Sequence, residues 1–427
     1  MTAYLIRRSL YGLSVLVGVV SLVFLIFNLK PGDASQMLLG QRATPEMIRM
    51  VEKDLGLDLP IAKRYVLYLN DLSFLSIHEK RDSEAHSYYD ETKYGGLELM
   101  NFGTTSIVLK KPYLRRSYRT RRDVSDILSD ALPGTFILAV SAISLALILG
   151  MGMGVWSALN PGSLFDGSAL TIAVLGMSAP SFYMAIVISW LGGLLLYEFI
   201  PLPKALVLGG VVAFVFWLYS RRSRGWKDAL SWIAKGSAIG FLLFIVLSWL
   251  MPSESSAQGF FTGFWKLPGT GLEPSGSLYE VDVFEGPYPA WRNLILPMLT
   301  LGIRPLAIII QLSRNAMLEE FGKEYIRTAY AKGLSKSAVV WRHALRNTLN
   351  PVITAVSGWF ASLLAGAVFV EFIFGWQGLG LELYEALINE DFTVVMGAVL
   401  FISSIFVVIN LVVDILYGWI DPRVRVR

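Results

Sequence analysis

The segment EYIRTAYAKGLS, residues 324–335, is polar and lies between two apolar stretches at 293–312 and 352–374. A bilayer core of about 30 Å is crossed by roughly 20 apolar residues in a helix, and both stretches reach that length. The segment itself carries Glu324, Arg327 and Lys332, so it is too polar to enter lipid. The sequence therefore predicts a polar loop held between two membrane spans.

The composition of the whole chain is that of a membrane protein. Of 427 residues, 54% are hydrophobic and 16% are charged, and the mean hydropathy is +0.54; soluble domains average about 25% charged residues. The chain has no cysteine and only three scattered histidines, and it lacks a P-loop, a zinc-protease motif and a nucleophile elbow. We expect no catalytic residue, no metal site, no cofactor site and no nucleic-acid partner.

Eight windows have the length and composition of membrane-spanning helices. They are 10–29, 134–159, 169–199, 203–219, 232–251, 293–312, 352–374 and 394–417. The third window contains SAPS at 178–181, where Pro180 lacks a backbone donor and is expected to kink the helix. The windows predict an all-α polytopic membrane helical bundle of about eight spans.

Residues 1–30 fit either a secretory signal peptide or a first transmembrane helix. Arg7 and Arg8 precede the apolar run, as they do in signal peptides. The run has the length of a span, however, and no small-residue cleavage site follows FNLKPGD. We favour an uncleaved first helix.

Basic residues near span ends predict the side of the membrane on which each loop lies, because Lys and Arg are retained in the cytoplasm. With the N-terminus inside, the linker 221–227, the loop 313–351 and the tail 421–427 are all cytoplasmic. The long loop from Lys30 to Pro133 is also basic but falls outside, which long loops tolerate. The sequence therefore predicts cytoplasmic N- and C-termini.

The external loop 31–133 combines helical and irregular sequence. Thr44 is a candidate N-cap, Gly56 ends that helix, and Pro60 opens a second amphipathic helix. The segment 76–117 is polar and rich in tyrosine, with no clear period. It fits either a solvated elaboration or a docking surface for an extracellular partner.

Two runs in the polar loop have the spacing of one helix face. They are Ile326, Ala329, Tyr330, Gly333 and Leu334, and then Trp341, Ala344, Leu345, Thr348 and Leu349. We predict two short helices outside the membrane, with Gly333 permitting the bend between them. Such a hairpin suits either adsorption on anionic lipid or transmission of force from a soluble partner.

The sequence EYIRTAYAKGLSKSAVVWRHALRNTLNP resembles the cytoplasmic coupling loop, or EAA loop, of ABC importer permeases in the dipeptide, oligopeptide and nickel branch. By this resemblance, the loop 314–351 docks into a cleft on a separate ATP-hydrolysing subunit. The coupling residues it implies are Glu324, Tyr325, Arg327, Thr328, Ala329, Lys332, Gly333, Leu334, His343, Arg346 and Asn347. Residues 1–75, 117–200 and 265–427 are similar to the same branch.

The resemblance implies a type I ABC importer permease core over 134–427, with an extra N-terminal helix and two helices inserted at about 203–264. It also implies a place in the inner membrane and alternating access for short peptides or similar small solutes. The implied partners are a second homologous permease subunit, two ATP-binding subunits, an extracytoplasmic substrate-binding protein and membrane lipid. ATP and magnesium would be bound by the ATP-binding subunits.

Arg304 lies inside the sixth window, at a position that is usually apolar in the family. A charge within a span must face a polar partner or a water-filled path, because its transfer into lipid is costly. Arg304 is therefore either a substrate contact in the pathway or an ion-pair or hydrogen-bond partner of a neighbouring subunit.

Two other classes of function are open at this point: an ion-coupled secondary carrier, and a membrane scaffold that recruits a soluble protein through the hairpin. A carrier usually has ionisable residues deep within its spans. Here Glu198 and Asp414 lie near span ends. This favours a permease that is not itself an enzyme and takes its energy from separate ATPase subunits.

Overall fold

The computed structural model describes residues 2–29, 44, 46, 52–53, 56–82, 85–117, 119–203, 209–211, 213, 231, 233–242, 264–282, 284 and 286–420. Its helices are α1 Thr2–Leu29, α2 Ile61–Leu72, α3 Glu91–Tyr94, α4 Val124–Leu159, α5 Leu164–Ser178, α6 Ser181–Ile188, α7 Ile233–Leu242, α8 Ile295–Phe321, α9 Glu324–Ala331, α10 Lys336–Ala338, α11 Leu345–Gly366, α12 Val368–Phe374, α13 Leu379–Ile388 and α14 Phe392–Ile420. Its strands are β1 Leu75–Glu79, β2 Leu97–Asn101, β3 Thr105–Leu109, β4 Phe199–Pro203, β5 Phe264–Pro268, β6 Tyr279–Asp282 and β7 Gly286–Pro289.

Among the described residues, four helices are long and apolar enough to cross a membrane, and two bent helix pairs raise the number to six if each pair is one span. The four lie in α1, α4, α8 and α14. The bent pairs are α5 with α6 and its continuation, and the helix from Lys336 with α12. The predicted helical membrane bundle is confirmed, while the count of eight spans stays a prediction.

The third predicted span is broken where the sequence predicts it. α5 ends at Ser178, α6 begins at Ser181, and the axis bends by 111° between them. Pro180 has no N–H to donate to the carbonyl of Gly176, so the helical ladder is interrupted at this residue. The interruption predicted from SAPS is confirmed.

Two predicted boundaries are corrected by the helix ends. α4 begins at Val124, so the domain boundary predicted after residue 133 falls inside a helix. α8 continues to Phe321 and the next long helix begins at Lys336, so much of the predicted loop 314–351 is helical extension of the spans. Hydropathy detects only the apolar part of a helix, and these helices continue in polar sequence.

The larger of two compact units, residues 1–185 with 277–427, is centred on α8. α8 packs on α5 where Ala307 meets Ala173. It packs on α4 and α11 where Ile309 meets Ala146 and Val352. Small side chains at these contacts let the helices approach closely, which is how membrane helices gain packing energy.

The second amphipathic helix of the external loop is confirmed as α2, which starts after Pro60. Tyr68 of α2 packs against Phe24 of α1 and Leu400 of α14, so this helix is fixed on the first and last spans. The first predicted helix of the loop lies largely outside the described residues.

The segment 76–117 contains a three-stranded antiparallel sheet of order β1-β3-β2, which the sequence did not predict. The usual alternation is inverted in β1, and β3 buries both Ser106 and Val108. Ser76, His78 and Ser106 are buried, whereas Leu75 and Ile77 are 56% and 61% exposed. His78 Nε2 lies 2.9 Å from Ser76 Oγ, so these two polar side chains satisfy each other inside. A pattern with polar residues inside does not resemble an ordinary half-buried strand.

The smaller unit, residues 186–276, contains the inserted sequence. β4 and β5 pair antiparallel, with Pro203 opposite Phe264, and so join the two ends of the insertion. Of the predicted spans 203–219 and 232–251, the structure describes 203, 209–211, 213 and 233–242. All are helical except Pro203, which ends β4. A β-carbon on Gly209 would lie 2.3 Å from the Gly236 carbonyl oxygen, so the two inserted helices touch at a point where only glycine fits.

Candidate functional site

The polar loop folds as a helical hairpin at one end of the spans. α9 follows α8 after a two-residue turn, and Gly333 then reverses the chain with φ of +79°. A β-carbon at Gly333 would meet no atom within 4 Å, so the left-handed backbone is what favours glycine there. Ser335 Oγ caps the second arm by accepting a hydrogen bond from the Ala338 N–H at 3.3 Å.

The second arm of the hairpin is the beginning of a membrane span. From Lys336 the chain stays helical through a π-helical segment, Val339–Ala344, and on to Gly366. The first predicted hairpin helix is confirmed as α9. The prediction of a separate second helix is wrong, because no break divides it from α11. A displacement of the hairpin therefore acts directly on a span.

The inner face of the hairpin packs on the ends of two other spans. This buried cluster consists of Val155 and Ala158 of α4, Met317 of α8, Ile326 and Ala329 of α9, and Val339, Val340 and Ala344 of the second arm. Each fully buried Val, Ile or Met contributes about 1.5–3 kcal/mol. The hairpin is thus joined to α4 and α8 by a hydrophobic core.

The predicted apolar faces are only partly correct. Tyr330 and Leu334 are 43% and 37% exposed, and Leu334 lies beyond the end of α9 at Ala331. Trp341 is 67% exposed. The π-helical segment adds a residue to its turn and brings Val340 to the buried position instead. Tyr330, Leu334 and Trp341 form what we call the outer patch of the hairpin.

A buried carboxylate connects the parts of the hairpin. Glu320, in the last turn of α8, is 6% exposed. It accepts hydrogen bonds from Lys323 Nζ at 2.5 Å, from the Tyr325 hydroxyl, and from Asn347 Nδ2 at 3.3 Å. Asn347 Nδ2 also donates to the Tyr325 oxygen at 3.0 Å. These four residues, the Glu320 clamp, link α8, α9 and α11.

The donors of the clamp keep their protons. The hydrogen bond to Glu320 raises the pKa of Lys323, and the nearby carboxylates reinforce the shift. Partial burial, followed by the hydrogen bond to Glu320, raises the pKa of Tyr325. Lys323 therefore stays a cation and Tyr325 a neutral donor near neutral pH. The sequence motif includes Tyr325 and Asn347 but not Glu320, whose signal in the sequence is only that of an acidic residue at the end of an apolar helix.

Most of the predicted coupling residues lie at the surface of the hairpin. Exposed are Glu324, Tyr325, Arg327, Thr328, Lys332, Gly333, Leu334, Arg346 and Asn347. Ala329 is buried in the inner core and His343 is half-buried. Arg327 Nη1 lies 2.7 Å from Glu324 Oε1, but an exposed helix pair of this kind contributes only about 0.3–0.5 kcal/mol.

A second buried carboxylate, missed by the sequence analysis, lies at the start of α5. Arg314 of α8 binds Asp166 with both ends of its guanidinium, Nε to Oδ1 at 2.6 Å and Nη2 to Oδ2 at 2.9 Å. The Ser157 hydroxyl and the Gly162 N–H, at 2.8 Å, also donate to Asp166. Ser163 and Asp166 have the S-x-x-D spacing of a helix start, which was the available signal. The pair joins α8 to the turn between α4 and α5.

The opposite end of the spans, near the start of α4, is held by neutral donors. Glu371 of α12 is completely buried. It accepts hydrogen bonds from Thr135 Oγ1 at 2.7 Å and from the N–H groups of Gly380 at 2.7 Å and Leu381 at 3.1 Å. Trp376 donates its indole N–H to the α4 backbone at 3.0 Å. No cation contacts Glu371 in the part of the chain that the structure describes.

Arg304 lies in the middle of α8, as predicted, and its side chain is exposed on the surface of the single chain. It makes no hydrogen bond or ion pair with the residues that the structure describes. Arg304 lies far from the coupling residues. It precedes Glu320, at the hairpin end of α8, by about 24 Å along the helix axis.

The chain matches a family of known proteins along most of its length. The family described as "Binding-protein-dependent transport system inner membrane component" matches residues 146–426. The N-terminal component of the same kind of transport system matches residues 1–87. The chain therefore belongs to the binding-protein-dependent transport system inner membrane components.

Several relatives match the whole chain. The dipeptide transport system permease protein DppB of Alkalihalophilus pseudofirmus is 30% identical over 425 residues, covering 100% of both chains. The di/tripeptide transport system permease protein DppB of Pseudomonas aeruginosa is 30% identical over 426 residues, covering 100% of this chain and 99% of its own. The dipeptide transport system permease protein DppB of Escherichia coli is 28% identical over 426 residues, with the same coverage.

These matches confirm the resemblance seen in the sequence. The protein is a multi-pass inner-membrane permease subunit of an ABC importer, a transport component and not a catalytic one. The secondary-carrier and scaffold interpretations are not favoured. Membership in a binding-protein-dependent system also implies a binding protein and other transporter subunits as partners.

Proposed function

We propose that this permease carries short peptides into the cell and forms half of the pathway, the other half being a second homologous permease subunit. The relatives named above are dipeptide and di/tripeptide permeases, and they align with the chain from end to end. An extracytoplasmic substrate-binding protein delivers the peptide. The N- and C-termini and the hairpin lie on the cytoplasmic side.

In this proposal the energy comes from two ATP-binding subunits, which bind ATP and magnesium, while this chain carries no cofactor. The hairpin docks on one of them through the outer patch. Exposed aromatic residues with basic neighbours are typical of interface hot spots. Tyr330, Leu334 and Trp341 are exposed, and Lys332 and Arg342 lie beside them in the sequence.

The transport cycle we propose is alternating access. ATP binding brings the two ATPase subunits together and moves both hairpins. The motion reaches α4 and α8 through the inner core and the Glu320 clamp, and it reaches α11 through the unbroken second arm. The spans then rock and open the cavity to the other side of the membrane.

The observation that carries the proposal is the two-sided hairpin, with its inner face fixed on α4 and α8 and its outer patch exposed. The test is to purify the chain with its partners and to compare Trp341→Ala with Trp291→Ala, a matched control that is 59% exposed and far from the hairpin. Loss of a hot-spot tryptophan weakens association by about 30-fold or more.

We expect Trp341→Ala to lose the ATPase subunits and ATP-driven peptide uptake, and Trp291→Ala to retain both. If both variants kept the ATPase subunits and uptake equally well, the outer patch would not be part of the docking interface. Accumulation of peptide by the purified chain alone in vesicles without nucleotide would overturn the proposed energy source.

A further inference from the structure

The position of Arg304 in α8 makes contact with lipid unfavourable for its charged side chain. Arg304 lies about 16 Å from residue 293 and about 12 Å from residue 312, the two ends of the apolar window, so its side chain lies deep within the predicted span. A charged residue at this depth in lipid costs at least about 2.5 kcal/mol. Its exposed position therefore requires a polar surrounding supplied by the assembled transporter.

The residues that share the face of Arg304 are polar toward the hairpin end. Gln311 and Asn315 follow it by about two and three helical turns, at the 3.6-residue period. Gln311 is half-buried and Asn315 is exposed, while the opposite face of α8 is buried against α4. α8 thus presents a polar stripe, interrupted at Ile308, from the middle of the membrane to the hairpin end.

The neighbouring helix α11 has a matching stripe. Asn350, Thr354, Gly358 and Ser362 are all exposed and recur every four residues, which places them on one face. The buried side of α11 packs on α8, where Val352 meets Ile309. Two adjacent spans therefore each leave polar or small residues uncovered over the same half of the membrane.

We propose that Arg304 is a binding site for the carboxylate of the substrate, and that the polar stripes of α8 and α11 form the wall of the water-filled path that leads from it to the hairpin end. This inference rests on the proposed peptide transport. A C-terminal carboxylate is the one anionic group that short peptides share whatever their side chains. A guanidinium binds a carboxylate with two parallel hydrogen bonds, and it does so more strongly than a neutral donor would.

The site is suited to a substrate that must be bound and then released during transport. A single guanidinium offers one charge-assisted contact, and Gln311 and Asn315 offer neutral hydrogen bonds further along the path. A substrate bound by one strong contact is selected and can still be released, whereas several cations together would retain it. Transport requires binding that is favourable enough for entry and weak enough for exit.

The test uses the complete importer in vesicles, with two probes: a labelled dipeptide with a free C-terminal carboxylate, and the same dipeptide with a C-terminal amide. ATP-driven uptake of both is measured for the wild type, for Arg304→Gln, for Arg304→Lys and for the control Arg292→Gln. The binding protein is the same in every sample, so its own preference cancels when each variant's ratio of the two rates is divided by that of the wild type.

We expect Arg304→Gln to lower uptake of the free dipeptide by roughly 10-fold, because a neutral amide replaces the two charge-assisted hydrogen bonds, and to leave uptake of the amide within about twofold. Arg304→Lys should retain part of the carboxylate preference, and Arg292→Gln all of it. An unchanged ratio in Arg304→Gln would overturn the inference, as would loss of the second permease subunit on purification, which would assign Arg304 to the subunit interface. Absence of ATP-driven uptake in the wild type would instead contradict the proposed function.

Discussion

The two ends of the spans are each held by a buried glutamate, but the partners of these glutamates differ. Glu320, at the hairpin end, accepts hydrogen bonds from a lysine, a tyrosine and an asparagine side chain. Glu371, at the other end, accepts from a threonine hydroxyl and two backbone N–H groups. The first set consists of side chains from a turn and two helices, and the second is built mostly from fixed backbone.

This difference shows how one helix bundle can be rigid at one end and responsive at the other. Backbone donors cannot leave the Glu371 carboxylate unless α13 itself moves, so that end acts as one body. Side chains such as Lys323 and Tyr325 can change rotamers while the helices shift, so the hairpin end can move without losing every contact. A switching element needs partners that can re-form in a second arrangement.

The largest expected effect is the loss of stability in Glu371→Ala. The variant leaves the buried Thr135 hydroxyl and Gly380 N–H, and the half-buried Leu381 N–H, without their acceptor, and each unsatisfied buried group costs about 1–3 kcal/mol. We expect a loss of about 3 kcal/mol or more, measured as a lower melting temperature of the detergent-solubilised protein. Glu385→Ala, an exposed glutamate in the same helix α13, is the control and should melt with the wild type. If the two variants had the same melting temperature, the hydrogen bonds of Glu371 would not be what holds this end rigid.

Glu320→Gln is expected to affect coupling more than stability. The amide keeps the shape of the side chain but removes the charge that attracts Lys323, so α9 is held less firmly to α8. We expect ATPase subunits to remain bound while the amount of peptide taken up per ATP falls several-fold, because one charged hydrogen-bond partner is lost.

The control for this prediction is Glu319→Gln. Glu319 is the preceding residue, its side chain is 76% exposed, and it lies 3.5 Å from the same lysine. Its exposed ion pair contributes little, so uptake per ATP should stay at the wild-type value. A similar loss of uptake in both variants would mean that charge near Lys323 matters and the buried clamp does not.

The smallest expected effect is that of Arg327→Ala on stability. Arg327 and Glu324 form an exposed pair on α9, and its removal should change the unfolding free energy by less than about 0.5 kcal/mol. The melting temperature checks this. If ATPase association nevertheless falls, the loss reports a docking contact of Arg327, since the fold is intact. A large drop in melting temperature would show that α9 depends on this surface pair.

Much of the architecture was predictable from local sequence. Long apolar windows located the spans that the structure describes, Pro180 located the break, and Pro60 located α2, because each of these signals acts within a few residues. The sheet at 75–109 was not predictable in the same way, since its polar residues face inward. Helix ends such as Val124 were also missed, because the polar turns of a span have no hydropathy signal.

The candidate site likewise contains residues that the sequence predicted and residues that it did not. The motif residues Tyr325, Gly333 and Asn347 were found from the sequence. Glu320 was not, although it holds Tyr325 and Asn347 together. Asp166 and Arg314 were likewise missed, because they are 148 positions apart in the chain and only the packing of α5 on α8 brings them into contact.

The sequence by itself determined that this chain lives in a membrane, belongs to a binding-protein-dependent transport system and carries a polar hairpin between two spans. Composition, periodicity and motif spacing are properties of the sequence itself, and they can be read without knowledge of any tertiary contact. Only the tertiary structure decided which face of the hairpin is buried, which carboxylates hold the two ends, and that the second arm continues into a span. Burial and hydrogen bonding depend on residues far apart in the chain, so they are fixed only when the helices pack.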